Sequence, residues 1–173
     1  MSENIAWVEL ARLPIAKMQD VLLARFVGRD EGAKIGFSSA ILTRLSTVIS
    51  ETARNVVQHA GGSGEIQIGR ITEGDKLGLR IIVSDKGKGI EHPEIFLNES
   101  DSSAIGAGLV GSRRLVDRFH IQSAPGAGTT VTMDIWRPEP HPMSRPDCSD
   151  LPGLGSEPDH VLTTWVTNAS LET

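Results

Sequence analysis

The stretch SSAILTRLSTVISETARNVVQHAGG, residues 38–62, carries the strongest periodic signal in the chain. Ile41, Leu45, Val48, Ile49, Ala53, Val56, Val57 and Ala60 recur at spacings of three and four, which places them along one side of a helix. Ser38 and Ser39 are natural N-cap residues, and Gly61, Gly62 and Gly64 stop the periodicity, so a helix over about 38–60 is expected. Downstream, EIQIGRI (65–71) and LGLRIIV (77–83) alternate as strands around a turn at Thr72–Lys76 that contains Gly74, the pattern of a β-hairpin. Upstream, Met18, Val21, Leu22 and Phe26 lie at helical spacing within Lys17–Ala33, a second helix ended by Gly36; Pro14 and a short apolar stretch at Ala6–Leu10 precede it. After an irregular stretch from about Lys86 to Ala107, a helix is expected at about Leu109–Arg118, a strand at Phe119–Ser123, a turn at Pro125–Gly128 and a strand at TTVTMDIW (129–136). This order implies an α+β fold: a two-layer sandwich in which helices cover one face of a mixed, mostly antiparallel sheet.

The whole chain of 173 residues is 39% hydrophobic and 23% charged, a composition that fits neither a disordered chain nor a membrane protein. One domain with an appendage is expected. Six of the nine prolines fall in residues 137–173, where six acidic and two basic side chains contribute -4 of the net charge of -5. Dense proline blocks regular elements, so 1–136 is read as the folded domain and 137–173 as an acidic, proline-rich tail or linker without fixed structure. The charge offers no footprint for nucleic acid or anionic lipid. Cys148 is the only cysteine and the N-terminus lacks a signal-peptide pattern, which together lead us to expect a cytoplasmic protein. No internal repeat is visible.

Four small motifs carry the chemistry. Glu51 and Asn55 are one helical turn apart, and their face flanks the apolar stripe, so a carboxylate and an amide would point together into a cleft. Alone, such a pair reads as a solvated Glu and Asn on a surface helix. In IIVSDKGKGI (81–90), Asp85 ends a strand and is followed by Gly87 and Gly89. A carboxylate there can accept a hydrogen bond from an exocyclic amine while glycines admit a flat heterocycle, an arrangement that suits adenine; a plain glycine turn uses the same residues. In IGAGLVGSRRLVDRF (105–119), Gly106 and Gly108 precede a helix and Gly111 lies in its first turn, so free N–H groups and the helix dipole could hold phosphate. The G-x-G-x-x-G spacing matches a Rossmann fingerprint only superficially, since no strand feeds the helix, and no P-loop is present. Finally, APGAGTTV (124–131) brings Thr129 onto a strand; Thr129 would lie beside Asp85 if the two strands are neighbours.

Taken in order, E-x-x-x-N on a helix, D-x-G-x-G after a strand, G-x-G-L before a helix and G-T on the closing strand resemble the Bergerat-type ATP-binding fold of the GHKL superfamily. That superfamily includes type II topoisomerases, histidine-kinase catalytic domains and anti-sigma-factor serine kinases. ETARNVVQHAG, IIVSDKGKGI, GAGLVGSRRLVDRF and SAPGAGTTV are most similar to the small serine/threonine kinases of bacterial stress signalling, the stressosome switch kinases, over about Leu13–Trp136. The resemblance implies that Asn55 ligands a Mg²⁺ on the ATP phosphates and that Glu51 is the general base for the attacking hydroxyl. It implies that Asp85 bonds the adenine amine, with Gly87, Gly89 and Thr129 shaping the base pocket. Gly106, Gly108, Leu109 and Gly111 would close on the phosphates, and about Glu91–Ile105 would form a lid. His59 reads as a phosphate contact or a structural helix-end histidine, and Arg113 and Arg114 as phosphate or partner contacts or as solvated charge. Val110 stands where these kinases often have proline, and Lys86 and Lys88 add positive charge to the adenine turn.

The function expected from this resemblance is a serine/threonine protein kinase that uses ATP and Mg²⁺ to phosphorylate an anti-sigma-antagonist partner of the STAS type. The alternative is a nucleotide-gated binding module that docks onto a sigma factor or a phosphatase regulatory domain; it needs Asp85 and the glycines but not Glu51. A third reading makes the chain the ATPase half of a larger signalling protein. A homodimer is a further option, and neither nucleic acid nor membrane is expected as a partner.

Overall fold

The computed structural model describes residues 5–93 and 107–138. Its elements are β1 (Ala6–Ile15), α1 (Met18–Lys34), α2 (Ser39–His59), β2 (Gly64–Glu73), β3 (Lys76–Asp85), α3 (Ala107–Arg114), β4 (Arg118–Ala124) and β5 (Gly128–Trp136). The strands form one five-stranded sheet in the order β1-β2-β3-β5-β4, antiparallel at every described pairing. The helical layer packs on one face of it, as the α+β reading expects.

The register explains the core. Ile66 pairs with Val83, which pairs with Val131; Ile68 pairs with Ile81, which pairs with Met133. All these side chains are buried on the face that meets Leu45, Val48, Ile49, Ala53 and Val56 of α2. Burying an aliphatic side chain of this size contributes about 1.5–3 kcal/mol, so the central helix and the three central strands hold the fold together. Ser38 caps α2, its hydroxyl accepting from the Ile41 N–H at 3.4 Å.

Three elements depart from the expectations. β1 is a ten-residue strand at the sheet edge, where only an apolar stretch and a proline were legible; Pro14 pairs opposite Glu65. An edge strand tolerates proline because half of its backbone donors have no ladder partner to lose. In α1 the buried residues are Val21, Ala24, Gly28 and Gly32, while Met18, Leu22 and Phe26 are 44%, 59% and 71% exposed. The helix therefore meets α2 through its smallest residues. A Cβ on Gly28 would collide with Ile49 Cδ1, and one on Gly32 would lie 2.9 Å from Leu42 Cδ2. Finally, α3 stops at Arg114 rather than near Arg118. Beyond it, the Asp117 N–H donates to the Asp134 carbonyl at 2.9 Å, and the chain enters β4.

No helix among the described residues is long and apolar enough to cross a membrane. The expectation of an unstructured tail falls, from residue 139 onward, outside the described residues, as do Gly106 and residues 94–105 of the expected lid.

Candidate functional site

Asp85 is the last residue of β3, paired with Gly64 of β2, and its neighbour Ser84 pairs with Thr130 of β5. Because β3 and β5 are adjacent, Thr129 lies beside Asp85. The Thr129 N–H donates to Asp85 Oδ1 at 3.3 Å, and the Gly87 N–H donates to the same oxygen at 2.8 Å. Among the described residues no hydrogen bond is made to Oδ2, and no buried side-chain oxygen lacks a partner, so Oδ2 is not fully buried. Two backbone donors thus fix the carboxylate and leave one oxygen to accept from a ligand.

The glycines around Asp85 make room for close backbone contacts. A Cβ on Gly87 would lie 2.9 Å from the Ala60 Cβ at the end of α2, and one on Gly89 would collide with the Ala124 carbonyl. Gly128 has φ +77° and presses against the Asp85 carbonyl, which leaves no room for a side chain. Ser123, a residue without a motif around it, ties this corner together. Its hydroxyl accepts from the Ile90 N–H at 2.8 Å, donates to the Gly128 carbonyl at 2.9 Å and lies 2.9 Å from Thr129 Oγ1. The Gly126 N–H completes the lacing by donating to the Lys88 carbonyl at 2.7 Å.

Glu51 and Asn55 lie earlier on α2, nine and five residues before Ala60, both half-buried. They face the start of α3: a Cβ on Gly108 would lie 3.0 Å from Glu51 Oε2 and 3.9 Å from Asn55 Nδ2. Glu51 Oε1 is ion-paired with Arg54 Nη1 at 2.7 Å. Leu109 is 7% exposed and packs into the core, which seats α3, while Gly111 faces open space. The far end of α3 is fastened to α2 by Arg44, whose Nε–H donates to the Leu115 carbonyl at 2.9 Å. His59 is exposed one turn beyond Asn55, and Arg113 and Arg114 lie in the last turn of α3, away from Gly108.

One helix therefore carries both halves of the site. Ala60 touches the Asp85 turn, and Glu51 lies nine residues earlier, about 13 Å along the axis at 1.5 Å per residue. At one end of this stretch of α2 lies the Asp85 carboxylate and, at the other, Gly108 in the first turn of α3 faces a carboxylate and an amide. Free N–H groups and the positive end of the helix dipole suit phosphate there. The amide oxygen of Asn55 is a hard donor. Among the described residues no three His, Cys, Asp or Glu side chains cluster as a metal cage. A Mg²⁺ ion would fit such a place with Asn55 as its side-chain ligand, phosphate and water supplying the remaining oxygens.

Arg54 and Ser123 escaped the sequence reading. Arg54 stands inside the ETARN stretch at i+3 from Glu51, a spacing that signals an ion pair. Ser123 had no local signal, because its partners arrive from three other segments.

The chain is similar to known proteins. Serine/threonine-protein kinase RsbT of Bacillus subtilis is 38% identical over 119 residues, covering 68% of this chain and 89% of that protein. The anti-sigma F factor of Thermoanaerobacter sp. is 28% identical over 126 residues, covering 69% and 87%. Among solved structures, the histidine kinase domain from the Erythrobacter litoralis EL346 blue-light activated histidine kinase aligns with TM-score 0.41 and 28% identity, over 56% of this chain and 44% of that one. The profile of the histidine kinase-, DNA gyrase B- and HSP90-like ATPases matches residues 40–139, from the first turn of the helix that carries Glu51 and Asn55 to beyond the strand that carries Thr129. Because that match spans more than half of the chain, the chain belongs to the histidine kinase-, DNA gyrase B- and HSP90-like ATPase family.

Proposed function

We propose that the protein is an ATP-dependent serine/threonine protein kinase of bacterial stress or sigma-factor regulation, acting on a STAS-type anti-sigma-antagonist. The observation that carries this reading is the placement of Glu51 Oε2 and Asn55 against Gly108, on the same helix whose end supports the Asp85 turn. The 38% identity with a serine/threonine-protein kinase supports it. In this reading Asp85 Oδ2 accepts from the adenine amine, with Gly87, Gly89 and Thr129 around the base. Asn55 would hold Mg²⁺, which when bound offsets phosphate charge. Gly106, Gly108 and the first turn of α3, including Leu109 and Gly111, would enclose the phosphates.

Glu51 takes the proton of the acceptor hydroxyl as its oxygen bonds to the γ-phosphorus; the bond from that phosphorus to the β,γ-bridging oxygen breaks and ADP leaves. A carboxylate serves because it can sit within hydrogen-bond reach of the hydroxyl while the metal ligand stays one turn behind. The test separates binding from transfer. In calorimetry Asp85→Asn is expected to lose ATP affinity. Glu51→Ala should retain affinity but lose phosphate transfer to the partner, and retained transfer would remove Glu51 as the base.

The similarity to anti-sigma F factors favours a second reading, in which nucleotide controls docking onto a sigma factor or another regulatory domain. Here Glu51→Ala would leave partner binding intact and the wild type would transfer no phosphate. The stretch from residue 137 is proposed as a tail or linker attached to a domain at 1–136.

A further inference from the structure

Arg54 is ion-paired with Glu51, and the proposed reaction gives it no part. Its Nη1 lies 2.7 Å from Glu51 Oε1, while the other oxygen of that carboxylate faces Gly108 at the start of α3. The other strongly paired cations sit elsewhere. Arg80 and Arg118 hold Asp134 and Glu73 on the sheet, and Lys34 holds Asp30 and Glu31 at the end of α1. Lys86 and Lys88 belong to the Asp85 turn, by the C-terminal end of α2.

The position of Glu51 creates an electrostatic problem for the proposed substrate. A general base must approach the terminal phosphate, yet a bare carboxylate there repels it, and the amide of Asn55 brings no charge. Side-chain exposures of 39% for Arg54 and 34% for Glu51 keep the pair partly shielded from bulk water, where charge interactions exceed their value on an open surface. We propose that Arg54 is a charge-balancing residue: by neutralising Glu51 it admits the terminal phosphate beside the base, and it thereby sets the preference of the site for ATP over ADP. The inference rests on the nucleotide reading above. ADP lacks the phosphate that meets Glu51, so loss of Arg54 penalises ATP selectively.

The experiment is calorimetry of the full chain with Mg-ATP and Mg-ADP. Arg54→Gln is expected to lower the ratio of ATP to ADP affinity by about five- to tenfold, with ADP affinity changed by less than about twofold as the internal check on folding. Arg54→Lys should keep the wild-type ratio, since it keeps the charge. In the Glu51→Gln/Arg54→Gln double variant the ratio should return to within about twofold of wild type, because the repelling carboxylate is gone. An unchanged ratio in Arg54→Gln would overturn the proposal. So would a ratio that stays low in the double variant, which would mean that Arg54 contacts the phosphate itself. If wild-type protein binds neither nucleotide, the nucleotide reading falls first, a different result from a wild type that binds both and variants that keep its ratio.

Discussion

Asp85 owes its orientation to two backbone N–H groups, from Gly87 and Thr129, that grip the same oxygen. An amide at this position could keep the oxygen but would present an NH₂ donor toward the ligand instead of an acceptor. Asp85→Asn is therefore expected to weaken ATP binding at least about tenfold, since a hydrogen bond to a charged group contributes about 1.5–3 kcal/mol. Calorimetry beside an unfolding curve checks it, and full affinity in a folded variant would dismiss the adenine contact. Two glycines in the neighbouring turn separate conformational strain from crowding. Gly126 and Gly128 have nearly equal φ, +76° and +77°, but only Gly128 lies against other atoms, those of the Asp85 backbone. Gly126→Ala should cost about 1–2 kcal/mol in urea unfolding, the left-handed penalty alone. Gly128→Ala should cost clearly more, and equal losses would show that the approach to Asp85 is not tight.

At the level of elements, α1 and α2 illustrate opposite relations between pattern and packing. In α2 the periodic apolar residues from Ile41 to Val56 are buried, since that side lies along the sheet, and Ser46, Ser50 and Thr52 are buried with them, their hydroxyls donating to carbonyls one turn earlier. In α1 the closest contacts are made by Gly28 and Gly32, residues that a hydrophobic pattern does not count, while Leu22 and Phe26 face outward. Gly28→Val should thus destabilise the protein by about 1–3 kcal/mol through overpacking against Ile49. Phe26→Ser should change stability by no more than about 0.5 kcal/mol. Denaturant midpoints decide the comparison; a large loss in Phe26→Ser would mean that the outer face of α1 is covered in solution. β1 was illegible for a related reason. As an edge strand it needs no strict alternation, and its pairing with β2 shifts register between Glu9 and Ala11.

At the scale of the whole sheet, the face turned from the helices carries, among the described residues, polar pairs and tryptophans. Trp7 lies over Gly69 and Trp136 over Gly78, and the Arg118 guanidinium sits 5.5 Å from the Trp136 ring centre. Beneath them Asp134, whose side chain is 3% exposed, accepts two hydrogen bonds from Arg80 at 2.7 and 2.8 Å. The carboxylate holds the Arg80 guanidinium above its ordinary pKa through that hydrogen-bonded contact. Asp134→Ala should cost about 2–3 kcal/mol, less than for a fully buried pair because Arg80 keeps access to water. A second charge effect concerns acid stability. The Asp20 carboxylate accepts from the Ala16 and Lys17 N–H groups at the start of α1, and these bonds hold its pKa below the ordinary 3.8. Its contribution is therefore complete above about pH 4 and is lost as pH falls through the lower folded value. The stability gap between wild type and Asp20→Asn should shrink below about pH 4, and a gap constant with pH would remove the carboxylate charge as the cause.

Residue types and their spacing were enough to establish the order of elements from α1 onward, the helix carrying Glu51 and Asn55, and the aspartate turn, because capping, periodicity and glycine punctuation act over a few neighbouring residues. Long-range pairing supplied the rest. The adjacency of β3 and β5 puts Thr129 on Asp85, Ser123 gathers Ile90, Gly128 and Thr129 at one corner, and the packing of α3 on α2 brings Gly108 to Glu51. None of these contacts has a local signature, since each joins segments whose sequences are indifferent to one another until the sheet order sets them side by side.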